Sequence, residues 1–483
     1  MLVQQPVSAG ESPVSASGAA SRRQVVMASI GPSHSAIHPT SPTLLAPNSQ
    51  SRAATHPSFP ATLRDSPHDS PSLPTASTST SPFPRPIPDT RRLPLPRADL
   101  DPSSLRSPSS SISTSTNPPS GFLPPQLSFA SPTPSPTEVY ETLGGGGVYA
   151  LIGARLWLGA NQLATLVDRE QRRTDGSGGD LPRRLEKELE GYGRDMWVWN
   201  EGKGTRMTRA RIRYEGDVRL YQHIVKAPYR PLSSLLHTPL ALAEYLHVSP
   251  PYAPEDLHGL LVELDAQNDL GDGSNRPWRP KIVFEPTPPS CHAGQKEWLE
   301  KILGGIEVLS PNHEELLSFY SIPPIPPNDP ALLRTIEHLI AHLLSLGVGP
   351  DGSGAVVVRC GRMGSVVGTR EGGVRWVPAY WAGQDEGRVK DVTGAGNSFL
   401  GGYIAGLSLS SGDPYEAALY ATVSASFVVE QFGLPVLNPE AERGSEPGSS
   451  KGEEQGDRGA HERWNGDSPW NRLDALRGRL GAT

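Results

Sequence analysis

The segment KDVTGAGNSFLGGYIAGL, residues 390–407, decides the fold more than any other part of the chain. Three small residues in a row, Gly394, Ala395 and Gly396, stand directly before an apolar run that is typical of a buried helix. A helix N-terminus exposes unpaired N–H groups and the positive end of the helix dipole, and glycine lets a ligand approach the backbone closely. The pattern therefore predicts an anion hole for a phosphoryl group. The alternative is a glycine-rich helix start that only packs.

Short apolar segments alternate with helical patterns through the middle of the chain. We interpret four of them as buried parallel strands: 260–264, 281–286, 306–310 and 355–360. Between the last two, residues 331–347 place apolar side chains on one face of a helix. This alternation predicts an α/β domain with a central, mostly parallel sheet that is covered by helices on both faces. Residues 204–224 carry charges at alternate positions and are predicted to form an exposed hairpin, or small lid.

Both ends of the chain differ from this middle part in composition. Of the 51 prolines, 26 lie before Tyr140, so residues 1–137 are predicted to be a long disordered Pro/Ser/Thr-rich tail. Its proline motifs and Ser-Pro pairs are candidate contacts for protein partners. Residues 441–483 are expected to be a polar, mostly disordered tail with a short terminal helix. The folded domain is therefore placed at 138–440.

The overall composition excludes several classes of protein. A net charge of −7 provides no basic face for direct nucleic-acid binding. No apolar run approaches the roughly 18 residues that a membrane span requires. Two cysteines, Cys291 and Cys360, are too few for a disulfide framework or a Cys-built zinc site, so we expect a reducing, cytoplasmic setting. The acid-poor beginning of the chain leaves a mitochondrial transit peptide as the alternative.

The run 390–407 resembles the C-terminal signature of the ribokinase-like PfkB carbohydrate kinases, in which Asp-x-Thr-Gly-Ala-Gly-Asp leads into a helix. The resemblance implies ATP-dependent phosphoryl transfer to a hydroxyl of a sugar or related small molecule. In that family the last Asp is the general base, and here the position is Asn397. An amide is not a useful base, and loss of a general base typically costs about 10²–10⁴-fold in rate. Activity is therefore expected to be weak or absent.

The replacement of the base leaves two functions open. The first is a slow kinase. The second is a pseudokinase, meaning a nucleotide-binding or structural module that acts through protein partners. The sequence does not name a substrate or an oligomeric state, although many relatives dimerise through lid strands.

Other family landmarks follow in the expected order along the chain. By resemblance, Asn312 and Glu315 form the Asn-x-x-Glu motif that organises Mg²⁺ and the ATP phosphates, although the same pattern also fits a helix cap. Gly361 and Gly364 correspond to glycines near the nucleotide. Arg359 stands where the family often has Thr, so it either changes the phosphate contacts or is a strand-end charge that reaches solvent.

The same resemblance assigns a cation site and a substrate turn. Asp391 and Thr393 match positions that hold a monovalent cation, with K⁺ as the candidate. Gly145 and Gly146 match the turn that lets a sugar approach the backbone, and Tyr149 stands where a substrate-binding Asn is usual. The alternative is a glycine-rich loop that only packs.

The start of the domain departs from the family pattern. Family members begin with a strand upstream of the Gly-Gly turn, but no strand pattern lies between Leu93 and Tyr140. The segment QVVMASIG, residues 24–31, could be this strand only if a very long loop connected it to the rest of the domain, and loop-length statistics disfavour such a loop. We therefore expect that the first strand is missing or that the gene model is wrong at its start. The glycine motifs are most similar to the fungal maintenance-of-killer branch, for which the implied role is stability of a double-stranded RNA virus particle.

Overall fold

A computed structural model of the chain describes residues 25–30, 34–36, 141–173, 178–202, 204–215, 218–269, 278–438 and 462–481. Apart from 25–30 and 34–36, the predicted N-terminal tail lies outside the described residues. The same holds for most of the predicted C-terminal tail, up to residue 461. No helix among the described residues is long and apolar enough to cross a membrane.

The described residues form strands, α-helices and short 3-10 helices. The strands are β1 (Met27–Ile30), β2 (His34–Ala36), β3 (Thr142–Gly144), β4 (Leu163–Asp168), β5 (Trp197–Asn200), β6 (Thr208–Glu215), β7 (Val218–Val225), β8 (Tyr245–Val248), β9 (Lys281–Phe284), β10 (Val308–Leu309), β11 (Ala355–Arg359), β12 (Ser365–Thr369), β13 (Gly373–Val377), β14 (Leu437–Asn438) and β15 (Arg463–Trp464). The α-helices are α1 (Gly146–Arg155), α2 (Arg183–Tyr192), α3 (Ser233–Leu236), α4 (Pro254–Asp269), α5 (Lys296–Ile302), α6 (His313–Phe319), α7 (Pro330–Leu346), α8 (Ala395–Leu409), α9 (Pro414–Val428) and α10 (Pro469–Gly481).

The central sheet contains nine strands in the order β13-β12-β11-β10-β9-β8-β1-β4-β5. Seven neighbouring strands run parallel: β11, β10, β9, β8, β1, β4 and β5. At one edge, β12 runs antiparallel to β11, and β13 runs antiparallel to β12. Helices cover both faces, because a parallel sheet needs crossover connections that lie above or below it. The predicted α/β class with a mostly parallel central sheet is confirmed.

Strand β11 shows how the sequence produces the two faces. Its side chains alternate between the two hydrophobic cores, since successive residues of a strand point to opposite faces. Val357 belongs to the core beneath α1, α8 and α9, whereas Val356 and Val358 belong to the core beneath α4, α5 and α7. All three valines are fully buried, which explains why the segment is continuously apolar rather than alternating.

The first strand is present, so the expectation that it is missing was wrong. Strand β1 lies inside the sheet between β4 and β8, third from the β5 edge, and runs parallel to both neighbours. Met27 and Ser29 are fully buried there. The prediction gave too much weight to the length of the intervening chain. Loop-closure entropy grows only logarithmically, by about 0.6 kcal/mol for each doubling of length, so a long connection costs little compared with the burial of a central strand.

One predicted strand is a helix. Residues 260–264 lie inside α4, which begins at Pro254 with two acidic residues in its first turn. Leu257, Leu260 and Leu264 are buried along one face at helical spacing. A short apolar run does not by itself separate a strand from a buried helix, and here the longer pattern should have decided. The other three predicted strands correspond to β9, β10 and β11.

A second, four-stranded sheet has the order β3-β2-β6-β7. The predicted hairpin at 204–224 is present as β6 and β7, which pair in antiparallel fashion. Strand β2 pairs in parallel with β6 and in antiparallel fashion with β3. The small sheet is therefore joined directly to the Gly-Gly turn, because β3 ends where that turn begins.

The packed domain also extends beyond the predicted boundary at 440. Strand β15 pairs with β14, and α10 packs against α9. Trp464 is fully buried and stacks on Tyr192 with ring centroids 5.9 Å apart. Glu462 accepts two hydrogen bonds from Arg155, at 2.5 and 2.7 Å. The segment 462–481, which we call the C-terminal clasp, is thus part of the hydrophobic core rather than part of a polar tail.

Candidate active site

The predicted anion hole is the start of α8. Gly394 precedes the helix in a left-handed conformation with φ 78, which a side chain would strain. A Cβ at Gly394 would overlap the Tyr149 ring, and a Cβ at Gly396 would overlap Nη1 of Arg359. Glycine is therefore required at 394, whereas a side chain at 396 would have to displace the flexible end of Arg359. Ala395 is the first residue of the helix.

The glycines that follow have a packing role. A Cβ at Gly401 would overlap the carbonyl oxygen of Ala150, and one at Gly153 would overlap the carbonyl oxygen of Ser398. Helices α1 and α8 therefore cross in direct backbone contact. This contact joins the N-terminal and C-terminal glycine motifs, which lie far apart in the sequence.

The predicted substrate turn lies beside Asn397. Gly145 has φ 102 and precedes α1. A Cβ on the next residue, Gly146, would stand 3.1 Å from Nδ2 of Asn397 and 3.2 Å from Oγ of Ser249. Tyr149 is only 3% exposed and lies against Gly394. The structure thus brings the turn to the site, while Tyr149 packs beneath it.

A buried polar network connects Asn397 to the central strands. Nδ2 of Asn397 donates to Oε2 of Glu285 at 2.7 Å, and the same oxygen lies 3.0 Å from Nε2 of His247. Nδ1 of His247 lies 3.1 Å from Oγ of Ser29. Arg359 donates from Nη1 to Oε1 of Glu285 at 2.6 Å. Except for Asn397, these residues lie on or directly after parallel strands, near the carboxyl edge where α/β sheets bind ligands.

Two glutamates of this network have opposite pKa shifts. Burial alone would raise the pKa of Glu285, but the Arg359 guanidinium and the hydrogen bonds from His247 and Asn397 hold it at about 2. Burial raises the pKa of Glu315 to about 7, and Arg359 opposes this only in part. At neutral pH Glu285 is therefore an anion, whereas Glu315 holds its proton more tightly than an ordinary glutamate does.

The predicted magnesium motif is a helix cap in this structure. Oδ1 of Asn312 accepts from the Glu315 backbone N–H at 2.8 Å, and Oε2 of Glu315 accepts from the Asn312 N–H at 2.7 Å. This reciprocal pair is a capping box at the start of α6. Arg359 reaches the same cap, with Nη2 3.4 Å from Oε2 of Glu315. The helix-cap alternative is confirmed, and the role in Mg²⁺ binding stays a prediction.

Arg359 is not a strand-end charge that reaches solvent. Its side chain is 13% exposed and is held between Glu285 and Glu315. Nη2 also donates to the carbonyl oxygen of Ser310 at 3.1 Å. The solvent alternative for this residue was therefore wrong.

The remaining predicted residues are in tight turns. Thr393 donates from its backbone N–H and its hydroxyl to Oδ1 of Asp391, at 3.0 and 2.8 Å. Gly361 and Gly364 have φ of 56 and 100 in the connection from β11 to β12, and a Cβ at Gly364 would overlap the backbone of β13. Among the described residues, no group of three or more His, Cys, Asp or Glu side chains is arranged to hold a metal ion. The cation roles stay predictions.

Sequence reasoning missed the residues that surround Asn397. Glu285, His247, Ser29 and Ser249 are all buried, with exposures of 5% or less. The available signal was a polar residue at the end of an apolar strand, as in KIVFE and YLHVS. Such a residue costs free energy on burial unless it is paired, so it indicates a partner, but not which partner.

Residues 268–441 match the pfkB family of carbohydrate kinases. The chain carries a PfkB-like domain. It is 29% identical over 358 residues to an uncharacterized protein of Schizosaccharomyces pombe, covering 70% of this chain and 86% of that protein. It is 25% identical over 314 residues to Protein MAK32 of Saccharomyces cerevisiae, covering 61% and 80%. The predicted resemblance to the fungal branch of the family is confirmed.

The PfkB-like domain is also similar to solved structures. A Cryptococcus neoformans ribokinase in complex with ADP aligns at 22% identity and a TM-score of 0.44, covering 63% of this chain and 88% of that one. An Anopheles gambiae adenosine kinase in complex with a diadenosine tetraphosphate aligns at 16% identity and a TM-score of 0.46, covering 61% and 82%.

Proposed function

We propose that the protein is a PfkB-type kinase that binds Mg·ATP and transfers the γ-phosphoryl group slowly to a hydroxyl of a sugar or related small molecule. The observation that carries this proposal is the position of Asn397. It lies in the first turn of α8, directly after the Gly394–Gly396 turn and beside Gly146. The residue at the family base position thus lies where the proposed phosphate turn and the proposed substrate turn meet.

Charge at the turn supports the nucleotide half of the proposal. The start of α8 carries the positive end of the helix dipole, which favours an anion, and the guanidinium of Arg359 lies against Gly396. Guanidinium groups suit phosphate oxygens, because they present several donors in one plane. We assign Glu315 and Asn312 to Mg²⁺ through water, and Asp391 and Thr393 to K⁺, as further parts of the proposal.

A pseudokinase is the second candidate, and one observation favours it. Arg359 and Asn397 both donate hydrogen bonds to Glu285, so the guanidinium nearest the turn is already paired with a carboxylate of the protein itself. A phosphate that bound at the turn would have to share or displace the Arg359–Glu285 pair. In this candidate the protein acts through partners, and phosphoryl transfer is absent.

Calorimetric titration of Mg·ATP into the full-length protein tests the proposal. The full chain is needed because β1 is part of the central sheet. Gly396→Asp should abolish binding, since it adds a carboxylate at the turn. Gly304→Asp is the matched control. Gly304 has open space at its Cβ and lies just before β10, at the amino ends of the parallel strands, whereas the candidate site lies at their carboxyl ends.

Each outcome has one meaning. Binding by the wild type and by Gly304→Asp, but not by Gly396→Asp, supports a nucleotide site at α8. Binding without formation of ADP over a panel of sugars and nucleosides supports the pseudokinase. Absence of binding at millimolar ATP refutes the kinase and leaves only a structural module that acts through protein partners.

A further inference from the structure

The contact between Asn397 and Glu285 restricts which residue can occupy position 397. The amide Nδ2 and Oε2 of Glu285 are 2.7 Å apart, and Glu285 is 5% exposed. An aspartate at 397 would place two carboxylates at hydrogen-bond distance in a buried site. Two such groups cannot both ionise, and one of them would have its pKa strongly raised. An ionised Glu285 therefore excludes an ionised aspartate at 397, and the asparagine amide meets it with a hydrogen-bond donor instead.

Glu285 is held in one orientation by three donors among the described residues. Oε2 accepts from Asn397 and from Nε2 of His247, while Oε1 accepts from Arg359. Nδ1 of His247 lies 3.1 Å from the Ser29 hydroxyl, and this contact orients the ring so that Nε2 faces Glu285. An ionised carboxylate has about four acceptor positions, so one position, on Oε1, stays open.

We infer that the acid of this site has moved from position 397 to Glu285, which accepts the proton of the attacking hydroxyl, and that Asn397 and His247 are positioning residues. This inference rests on the proposed function. The observation behind it is that Glu285, Asn397 and the Gly146 turn lie together. The proposed function rests on Asn397 and the turn, and Glu285 is the residue that this inference adds.

The chemical step is balanced without any further reactant. The acceptor oxygen forms a bond to the γ-phosphorus of ATP, and the bond from that phosphorus to the bridging oxygen breaks with its electron pair going to ADP. The hydroxyl proton passes to the Glu285 carboxylate and reaches solvent when the product leaves. Because the transition state of phosphoryl transfer is loose, a well-placed acceptor matters more than a strong base.

The test is a mutant cycle in the full-length protein: wild type, Asn397→Asp, Glu285→Gln and the double variant. Mg·ATP binding is measured by calorimetry. Formation of ADP is measured with water, ribose and adenosine as acceptors, and the unfolding midpoint is measured from pH 5 to pH 8. Glu285→Asp is added because it keeps the charge and the partner of Arg359 but withdraws the carboxylate by one methylene group.

We expect Glu285→Gln and Glu285→Asp to bind Mg·ATP and to form ADP roughly 10²-fold more slowly. Asn397→Asp alone should not raise the rate, and its unfolding midpoint should fall as the pH rises, because the two acids then compete for one proton. The double variant should recover both the midpoint and part of the rate, since it restores a single acid. If Glu285 were only structural, moving the acid from position 285 to position 397 would not restore the rate of ADP formation.

Two results would overturn the inference while the proposed kinase function stands: equal ADP formation by wild type and Glu285→Gln, or a faster Asn397→Asp variant. Mg·ATP binding without ADP formation in every protein would overturn both the inference and the proposed phosphoryl transfer. Absence of Mg·ATP binding in the wild type refutes the proposed function instead. In that case the unfolding midpoints still report whether positions 285 and 397 are coupled.

Discussion

Two nearly buried arginines, Arg359 at the candidate site and Arg472 in the C-terminal clasp, are held in different ways. Arg472 is 3% exposed and donates from Nε to Asp467, from Nη1 to Ser426 and from Nη2 to Glu430. Its guanidinium also lies 3.7 Å from the centre of the Phe427 ring. Every nitrogen of this group has a partner, as expected for an arginine whose role is to hold the fold together.

Arg359 has a less complete set of partners. Its Nε is buried and has no hydrogen-bond partner among the described residues. Its two carboxylate partners are 6% and 7% exposed, whereas those of Arg472 are 12% and 44% exposed. A buried donor without a partner costs free energy, and native proteins tend to keep such groups where they have a function. Nε1 of Trp464 in the clasp is also a buried donor without a partner among the described residues, so the burial of the carboxylate partners is what separates the two arginines.

The largest expected effect comes from Arg359→Met. This change leaves Glu285 buried without its cation, so we expect a loss of about 3–5 kcal/mol of unfolding free energy at pH 7. Chemical denaturation measures it. The loss should shrink at pH 4, because protonation of Glu285 relieves the uncompensated charge. An equal loss at both pH values would contradict the ion-pair explanation.

Arg472→Met should cost less, about 1–3 kcal/mol. It removes three sets of charged or polar hydrogen bonds and the contact with Phe427, but Asp467 stays partly in water and is not stranded. Denaturation under the same conditions gives the comparison. If Arg472→Met were more destabilising than Arg359→Met, the exposure of the partners would not be what separates the two arginines.

Glu315→Gln should change how the free energy of unfolding varies with pH more than it changes its value at low pH. The folded-state pKa of Glu315 is about 7, above its usual 4.5, so the folded protein binds this proton more tightly than the unfolded chain does. The contribution to stability is therefore present below pH 4.5 and is lost as the pH rises to 7, with a slope of at most about 1.4 kcal/mol per pH unit.

Glutamine keeps the capping box and removes this titration. The stability of the variant should therefore vary less between pH 5 and pH 7 than that of the wild type, and denaturation at several pH values reports it. Glu337→Gln, at an exposed position on α7, is the control, because Glu337 does not contribute to the raised pKa of Glu315. An unchanged slope in Glu315→Gln would mean that another group titrates in this range.

The smallest effect is expected for Glu462→Gln, at about 1 kcal/mol or less. Glu462 pairs with Arg155 in a two-point geometry, but its side chain is 31% exposed and water screens the pair. Unfolding measured in low and high salt should show this loss decreasing as salt is added. A loss that does not depend on salt would indicate packing of the clasp rather than charge.

Local patterns were the part of the fold that the sequence predicted well. The glycine turn before α8 and the Asn312–Glu315 cap depend on residues within a few positions of each other, so their physics is visible in a short window. The helix α7 was predicted as 331–347 and observed as Pro330–Leu346, because one buried face repeats at helical spacing.

Long-range pairings could not be predicted in the same way. Glu285 and Asn397 are 112 positions apart, and nothing in either local pattern specifies the other. The place of β1 in the sheet depends on partners on both sides, each far along the chain. The isolated apolar run at 24–31 was visible, but its value as a strand came from burial that only the assembled sheet provides.

The central position of β1 has a consequence for synthesis of the protein on the ribosome. Ser29 in this strand contacts His247, which is 218 residues later in the chain. At about 5–20 residues per second, β1 waits roughly 10–45 s after its own synthesis before that neighbour exists. During this interval its backbone donors and acceptors have no sheet partner on the β8 side, so the nascent chain offers an open edge to chaperones until the middle of the domain has been made.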